Sequence, residues 1–313
     1  MGRTVTRARL RRACSEGFGE ASRWIGNRRN LAALESSPDL SVRAVGQALR
    51  EVIDGRLAPD EESAIRRVEQ QRYKLESSRQ VISMARRHVS PERVATAPAG
   101  GAPGQAASAA APMPDEPPTA VVGEVCRNAS KSPKWALVLF KLVRHLRPTT
   151  CLEIGTCVGI SAAYQAAALE LNGAGRLVTV EGIESLAALS AASLDELQAG
   201  TATVVTGMFG EIWEDLAPTL TGLDYAFIDG SHNPRATLRF FDLIEAHMER
   251  GGGVIIDDIR WSPGMKAAWT IVRSHPRVTA VVDLIDVGLC VLGPPAATKT
   301  YRVAFGLPFL LDR

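Results

Sequence analysis

Two hydrophobic periods alternate along the second half of the chain. Short apolar runs rich in Val, Ile and Leu recur there, and stretches whose apolar residues follow a helical period separate them. This alternation predicts an α/β domain, and the nearly continuous apolar content of the runs is typical of parallel strands covered on both faces. The predicted strands are "TCLEIG", "RLVTVEG", "ATVVTG", "DYAFIDG" and "GGVIIDD", and a helix, "SPKWALVLFKLVRHL", precedes the first of them.

Two more apolar runs, "VTAVVDLID" and "GLCVLG", lie near the end of the pattern and are separated only by Val287. This spacing is too short for a crossover helix, so it predicts an antiparallel hairpin at the sheet edge. The sheet is therefore expected to have seven strands, mostly parallel, with the hairpin as its reversed part.

The first half of the chain has a different character. Residues 92–120 consist largely of Ala, Pro, Gly and Ser, which predicts a flexible or extended linker between a helical, basic extension at 1–91 and the α/β domain at 121–313. Within the extension, the apolar stripe of residues 60–89 is narrow and interrupted by arginines. We expect this helix to pack on another surface, and it could serve a homodimer.

Charge and composition exclude several classes of function. A net charge of +2 is too small to imply nucleic acid as the partner, and the longest apolar runs fall well short of the roughly 20 residues that span a bilayer. Residues 1–30 hold eight arginines and two glutamates without the apolar core of a signal peptide, so we expect a solvated face or tail, with an organellar presequence as the alternative. Five cysteines without a CxxC pair indicate reduced thiols in a cytoplasm.

Candidate ligand-binding residues concentrate where the predicted strands end, which is where open parallel sheets bind ligands. "CLEIGTCVGIS" places Gly155 and Gly159 after the first strand, and Glu181 ends the second strand 26 residues after Gly155. Glycines allow close approach of the backbone to a ligand, and an acid at that strand end can accept hydrogen bonds from ribose hydroxyls. The pattern favours a nucleoside-containing ligand, whereas the absence of a P-loop lysine disfavours a nucleoside triphosphate.

The segment "EIGTCVGIS" resembles motif I of class I S-adenosylmethionine-dependent methyltransferases. The form is that of the catechol and caffeoyl-CoA O-methyltransferase group and its bacterial sugar and natural-product relatives, the methyltransferase 24 type, and the resemblance covers residues 121–292. It implies a Rossmann-like seven-stranded fold and S-adenosylmethionine as cofactor. Thr156 and Ser161 could instead cap the following helix. The cofactor residues that the resemblance implies are Glu153, Gly155, Thr156, Gly159 and Ser161 at the methionine end, Glu181 at the ribose, Gly207, Met208 and Phe209 at the adenine, and Asp229.

Three carboxylates follow neighbouring predicted strands: Asp229 after the fourth, and Asp257 and Asp258 after the fifth. Like charges this close favour a cation, and an oxygen-only set suits Mg²⁺ or a similar divalent ion, which would lower the pKa of an acceptor hydroxyl. Metal-dependent members of the family have an acidic triad here, most often Asp, Asp and Asn. The alternative is that Asp257 caps a turn and Asp229 contacts the cofactor without metal.

The catalytic base and the acceptor site are defined less closely by the sequence. Some relatives have an Asp where this chain has Ser231, so His232 is the nearest candidate base beside Asp229, although it could equally bracket the adenine or satisfy a loop carbonyl. We expect Trp261 and Met265, just past Asp258, to contact the acceptor. The segment "NASKSPKW", residues 128–135, is expected to form a cap over the site, in which Lys134 and Lys131 could meet a carboxylate of the acceptor; the alternative is that both lysines are solvated.

The leading hypothesis is a metal-assisted O-methyltransferase acting on a hydroxyl of a small molecule such as a phenol or a sugar. A carboxyl or peptide methyltransferase that recognises its substrate through the basic N-terminal half is an alternative. A cofactor-binding regulatory protein without catalysis is a further one, and a nicotinamide dehydrogenase is the least favoured because the glycines have GxxxG spacing.

Overall fold

The computed structural model describes residues 28–86, 118–295 and 297–303. The arginine-rich residues 1–27 and most of the predicted linker therefore lie outside the described residues. Residues 28–35 are helical. The further helices are α1 (Leu40–Asp54), α2 (Pro59–Glu76), α3 (Val122–Ala129), α4 (Pro133–Leu146), α5 (Ile160–Asn172), α6 (Glu184–Glu196), α7 (Phe209–Leu216), α8 (Pro234–His247) and α9 (Pro263–Val272). The strands are β1 (Val81–Ser83), β2 (Thr119–Val121), β3 (Thr150–Ile154), β4 (Arg176–Glu181), β5 (Ala202–Thr206), β6 (Leu223–Ile228), β7 (Gly252–Ile256), β8 (Val278–Asp283), β9 (Gly288–Leu292) and β10 (Lys299–Arg302).

The predicted α/β fold with a mostly parallel sheet is confirmed. The main sheet has the order β10-β8-β9-β7-β6-β3-β4-β5, and β3 to β7 are mutually parallel wherever they pair. The antiparallel hairpin of β8 and β9 is also confirmed, with β9 inserted between β7 and β8. The described sheet has eight strands instead of seven, because β10 adds in parallel to β8 and forms the edge. The sequence of β10, "KTYR", is short and polar, so its hydrophobic pattern did not reveal it.

The chain order reverses at β3, which lies between β4 and β6. The register pairs Ile154 with Val180 on one side and with Ile228 on the other, and Ile228 with Ile256. The loops after β3, β4, β6 and β7 therefore begin almost level with one another. This edge of the sheet is where the candidate site lies.

The N-terminal helices share a hydrophobic core with the helices on one face of the sheet. Leu49 of α1 and Val68 of α2 are buried in the cluster that also contains Phe140 of α4 and Leu169 of α5. The apolar stripe of α2 is thus covered within the chain, as its narrow width predicted. The opposite face of the sheet is covered by α7, α8 and α9.

An ion cluster joins the same helices in the interior. Lys141 of α4 is 1% exposed, and its Nζ lies 2.7 Å from Glu51 of α1 and 2.5 Å from Glu61 of α2. Arg144 adds a 3.2 Å hydrogen bond to Glu61. A buried charge requires paired partners, so α1 and α2 are built into the fold around this lysine.

The ends of the predicted linker meet in a small antiparallel sheet. β1 pairs with β2 so that Ile82 lies opposite Ala120. Thr119 and Ala120 therefore belong to a strand and not to the linker in which their composition placed them.

In the described ranges, no helix is long and apolar enough to cross a membrane.

Candidate active site at the ends of the strands

The glycine loop between β3 and α5 lies against the loop that follows β6. Gly155 has a φ of +98°, and a Cβ at this position would lie 2.7 Å from the Cα of Gly230. Gly159 has a φ of +90° and immediately precedes α5. Both positions use conformations that side chains disfavour, so the loop forms a tight cradle at the N-terminus of a helix.

A buried polar network supports this loop from beneath. Glu153 is fully buried and accepts hydrogen bonds from Gln165 Nε2 at 3.0 Å and from Thr179 Oγ1 at 2.7 Å. Burial raises the pKa of Glu153 to about 7, although hydrogen bonds from Ser161 and Thr179 oppose the shift. Thr156 Oγ1 lies 2.6 Å from Thr179 Oγ1. The predicted residues Glu153, Thr156 and Ser161 thus shape the cradle from the interior, and direct contact with a ligand stays a prediction for them.

Glu181 ends β4 beside the cradle, as the sequence predicted. Its Oε2 accepts a hydrogen bond from the N–H of Cys157 at 2.8 Å, and its Oε1 accepts one from the N–H of Ile183 at 2.9 Å. Burial raises the pKa of Glu181, and these backbone donors counter the shift. Each carboxylate oxygen has a second lone pair, so Glu181 can still accept from the hydroxyls of a ribose.

The loop after β5 joins the same region through its backbone. The N–H of Gly207 donates to the carbonyl of Glu181 at 2.8 Å. Met208 is half-buried, and its sulfur lies 2.6 Å from the position that a Cβ of Gly182 would take. Phe209 points elsewhere, since it is 3% exposed and its ring centroid lies 5.0 Å from that of Phe240 in the core. Among these three predicted adenine contacts, Met208 has its side chain beside Gly182, the residue after Glu181, whereas Phe209 packs against Phe240.

Two of the three predicted metal ligands share a lysine. The Nζ of Lys131 lies 3.1 Å from Asp229 Oδ2 and also contacts Asp257 Oδ2. Burial alone would lower the pKa of Lys131, but the charges of Asp229 and Asp257 outweigh it and raise that pKa. The pKa of Asp257 is raised by burial and by the neighbouring charge of Asp229.

The third carboxylate pairs with the candidate base. His232 Nε2 lies 3.1 Å from Asp258 Oδ2 and 4.0 Å from Asp229 Oδ1. The pKa of His232 is raised, chiefly by its interaction with the carboxylate of Asp229 and also by the charge of Asp258, against the effect of burial. The ammonium of Lys131 thus pairs with Asp229 and Asp257, and the imidazole of His232 pairs with Asp258.

The prediction of a Mg²⁺ site is not confirmed. Throughout the ranges that the structure describes, no group of three or more His, Cys, Asp or Glu side chains is arranged to hold a metal ion. The carboxylate oxygens that would coordinate the ion instead contact Lys131 and His232. The arrangement of Asp229, Asp257 and Asp258 does not fit a bound divalent cation.

The predicted acceptor contacts lie in three different environments. Trp261 is 68% exposed, and its ring centroid lies 5.2 Å from that of His232. Met265 is 1% exposed and its sulfur accepts a hydrogen bond from Thr237, so it lies in the interior and away from the exposed ring of Trp261. Lys134 lies in the first turn of α4, and its Nζ is 5.8 Å from the ring centroid of Trp135. Burial lowers the pKa of Lys134 to about 8, and Asp286 opposes the shift.

Arg72, in the N-terminal extension, contacts this site and was not predicted to do so from the sequence. Arg72 of α2 is 6% exposed, and its Nη1 donates to the main-chain carbonyl of Lys131 at 2.8 Å. Its Nε pairs with Glu69 at 2.9 Å, and Glu69 also accepts from the hydroxyl of Tyr164 at 2.7 Å. An arginine interrupting the apolar stripe of α2 was the available signal, because a buried charge requires a specific partner.

A family of known proteins matches the part of the chain that forms the candidate site. Residues 152–259 match a family model described as a methyltransferase domain. The resemblance to the methyltransferases is confirmed over these residues, which run from β3 to the loop after β7. A search of curated proteins finds no match to this sequence.

Several solved structures are similar to about half of this chain. The O-methyltransferase from Bacillus cereus in complex with SAH is 21% identical with a TM-score of 0.47, over 53% of this chain and 83% of that one. The O-methyltransferase TomG from Streptomyces achromogenes, involved in tomaymycin synthesis and in complex with SAM, is 23% identical with a TM-score of 0.44, over 52% and 82%. The SAH-bound methyltransferase PaMTH1 from Podospora anserina is 18% identical with a TM-score of 0.44, over 52% and 80%. At these identities and TM-scores the matches by themselves say nothing about activity or substrate.

Proposed function

We propose that this chain, whose residues 152–259 match a methyltransferase domain, transfers a methyl group from S-adenosylmethionine to a hydroxyl of a small molecule such as a phenol, a sugar or another natural product. The observation that carries the proposal is the meeting of the glycine cradle, Glu181 and the Asp258–His232 pair at one edge of the sheet. These groups would bind a nucleoside and accept a proton within one site.

The residues around the cradle suit S-adenosylmethionine. Gly155 and Gly159 let the loop turn tightly into the N-terminus of α5, where N–H groups can meet the carboxylate of an amino acid. Glu181 has lone pairs left for the two ribose hydroxyls, and Met208 borders the next residue, Gly182. When bound, S-adenosylmethionine supplies an electrophilic methyl carbon.

The chain's own contribution to the chemistry is to orient the acceptor and remove its proton. His232 has a side chain that is 41% exposed, so an acceptor can reach its imidazole, and Asp258 fixes the ring. Trp261 offers an exposed aromatic face next to His232 on which a flat acceptor can stack. No metal ion is assigned a part in this chemistry, because Lys131 and His232 engage the three carboxylates.

A hydroxyl acceptor is favoured over a carboxylate acceptor for a chemical reason. A carboxylate is already ionised near neutral pH and needs no base, whereas a hydroxyl must lose its proton during transfer. The His232–Asp258 pair supplies such a base. The peptide alternative rested on the basic N-terminal half holding a longer, acidic substrate, but α1 and α2 of that half are packed into the core around Lys141.

The direct test is turnover by the purified full chain. It would be incubated with methyl-labelled S-adenosylmethionine and separate panels of phenols and catechols, of sugars, and of peptides with free carboxyl groups. We expect label on a hydroxyl of at least one small molecule and much less with His232→Asn. Label confined to peptide carboxyls would support the alternative, and cofactor binding without transfer to any panel would support a regulatory protein.

A further inference from the structure

Lys131 supplies a positive charge to the strand-end carboxylates from within the chain. Its ammonium joins Asp229 and Asp257, which follow the neighbouring strands β6 and β7. The side chains of these three residues are only 16%, 12% and 6% exposed, respectively. The positive charge that two buried carboxylates require is therefore provided from within the protein.

The main chain of Lys131 is held in place from the opposite direction. Arg72 donates to the carbonyl of Lys131, and Arg72 is fixed in turn by Glu69 and through it by Tyr164. These contacts involve α2 and α5, so the segment before α4 is attached to two elements of the core. A divalent ion binding Asp229 and Asp257 would have to displace an ammonium whose main chain is tied down.

We propose that Lys131 takes the place of a divalent metal in this site, so that its ammonium orients the acceptor oxygen and methyl transfer needs no added metal ion. This inference rests on the proposed function and deepens it. Within the described residues, the Nζ of Lys131 forms ion contacts with Asp229 and Asp257. An ammonium has three N–H bonds, so the third can point to an acceptor oxygen.

The transfer then balances without a metal. The acceptor oxygen forms its bond to the methyl carbon as the carbon–sulfur bond breaks, and the electron pair of that bond stays on sulfur. The hydroxyl proton passes to the imidazole of His232. Lys131 keeps its proton throughout and stabilises the negative charge that develops on the acceptor oxygen.

The first test is metal binding, which requires no acceptor. Mn²⁺ would be titrated into the full chain and followed by electron paramagnetic resonance, for the wild type, Asp257→Asn, Lys131→Ala and the double variant. We expect the wild type to bind no more Mn²⁺ than Asp257→Asn. Lys131→Ala should gain a site that the double variant lacks, because removal of the ammonium leaves the carboxylates unpaired.

The second test is turnover with and without a chelator. Wild-type activity should be unchanged by chelation, and Lys131→Ala should lower kcat about a hundredfold and regain part of it with Mg²⁺. S-adenosylmethionine should still bind to Lys131→Ala. Lys74→Ala is the matched control, because Lys74 is a surface lysine with a side chain 59% exposed, and it should leave kcat unchanged.

The outcomes separate this inference from the proposed function. A wild-type Mn²⁺ site that Asp257→Asn removes would overturn it, as would activity abolished by the chelator and restored by Mg²⁺. A folded Lys131→Ala variant that gains no Mn²⁺ site would also contradict it. If Lys131→Ala does not fold, the wild-type titration decides the question alone. Absence of methyl transfer in every variant would count against the proposed function and would leave the Mn²⁺ result interpretable.

Discussion

Arg72 and Lys131 are 59 residues apart in the sequence, yet the guanidinium of the first donates to the carbonyl of the second at 2.8 Å. The contact joins a helix before the linker to a segment that reaches the strand-end carboxylates. Helix α2 of the N-terminal extension therefore supports the site in addition to packing in the core.

Replacing Arg72 should impair turnover more than cofactor binding. Arg72→Met removes the donor to Lys131 and leaves the segment before α4 less fixed, so we expect kcat to fall roughly tenfold, because misplacement of an orienting group is costly. The dissociation constant of S-adenosylmethionine should change little, since the cradle lies elsewhere. Arg66→Ala is the control, because Arg66 is an exposed arginine of α2 paired with Glu62. Equal loss in both variants would refute a positioning role for Arg72.

Removing Glu61 should lower the free energy of unfolding and make that free energy less dependent on pH. Glu61→Ala leaves Lys141, which is 1% exposed, with less compensation, and we expect a cost of about 3 kcal/mol in the free energy of unfolding. Burial alone would raise the pKa of Glu61, but hydrogen bonds and charge from Lys141 lower it below 4.5. A lowered pKa stabilises the fold at high pH and loses this contribution as the pH falls through the folded value.

Urea unfolding at several pH values checks this prediction. Wild-type stability should decline below pH 4.5, the ordinary pKa of Glu61, and the decline should be shallower in Glu61→Ala. Glu62→Ala is the neighbouring control, since it removes an exposed pair and should cost less than about 1 kcal/mol. Equal costs for the two variants would show that Lys141 does not depend on Glu61.

His232 should be needed for turnover in a pH-dependent way. His232→Asn removes the base, and we expect kcat to fall by about 100-fold to 1000-fold. A base acts in its neutral form, and the pKa of His232 is raised from 6.5 by its interaction with the carboxylate of Asp229. Wild-type kcat should therefore increase with pH up to a value above 6.5, and this increase should be absent in the variant. A wild-type profile without it would exclude His232 as the base.

Trp261 should affect the acceptor and leave the cofactor unaffected. Its ring is 68% exposed beside His232, so Trp261→Ala should raise KM for an aromatic acceptor by about tenfold, as expected for the loss of a stacking surface. Trp261→Phe keeps an aromatic face and should recover most of the loss. Steady-state kinetics at saturating S-adenosylmethionine would measure both, and unchanged KM in Trp261→Ala would place the acceptor elsewhere.

The strand ends were predictable because their signals are local. Gly155, Gly159, Glu181 and Asp229 each follow an apolar run, and the parallel sheet brings such positions to one edge. The hairpin was predictable for the same reason, since its connection is too short for a crossover. Periodicity and spacing were sufficient for these elements.

The contacts that depend on distant parts of the chain were not predictable in this way. The pairing of Lys131 with Asp257 spans 126 residues, and no pattern within a helix or strand encodes it. The burial of Phe209 and Met265 depends on which face of a short helix meets the core. The sequence predicted a metal site because it places three carboxylates at neighbouring strand ends. It did not show that the ammonium of Lys131, from a distant segment of the chain, pairs with two of them.

The proposed cofactor site can be tested by calorimetry, in which S-adenosylmethionine is titrated into the purified full chain and NAD is titrated in parallel. We expect saturable binding of S-adenosylmethionine at one site per chain, weakened at least about tenfold in Glu181→Ala through loss of the ribose hydrogen bonds, and no binding of NAD. Binding of NAD in place of S-adenosylmethionine, or no binding of either, would contradict it.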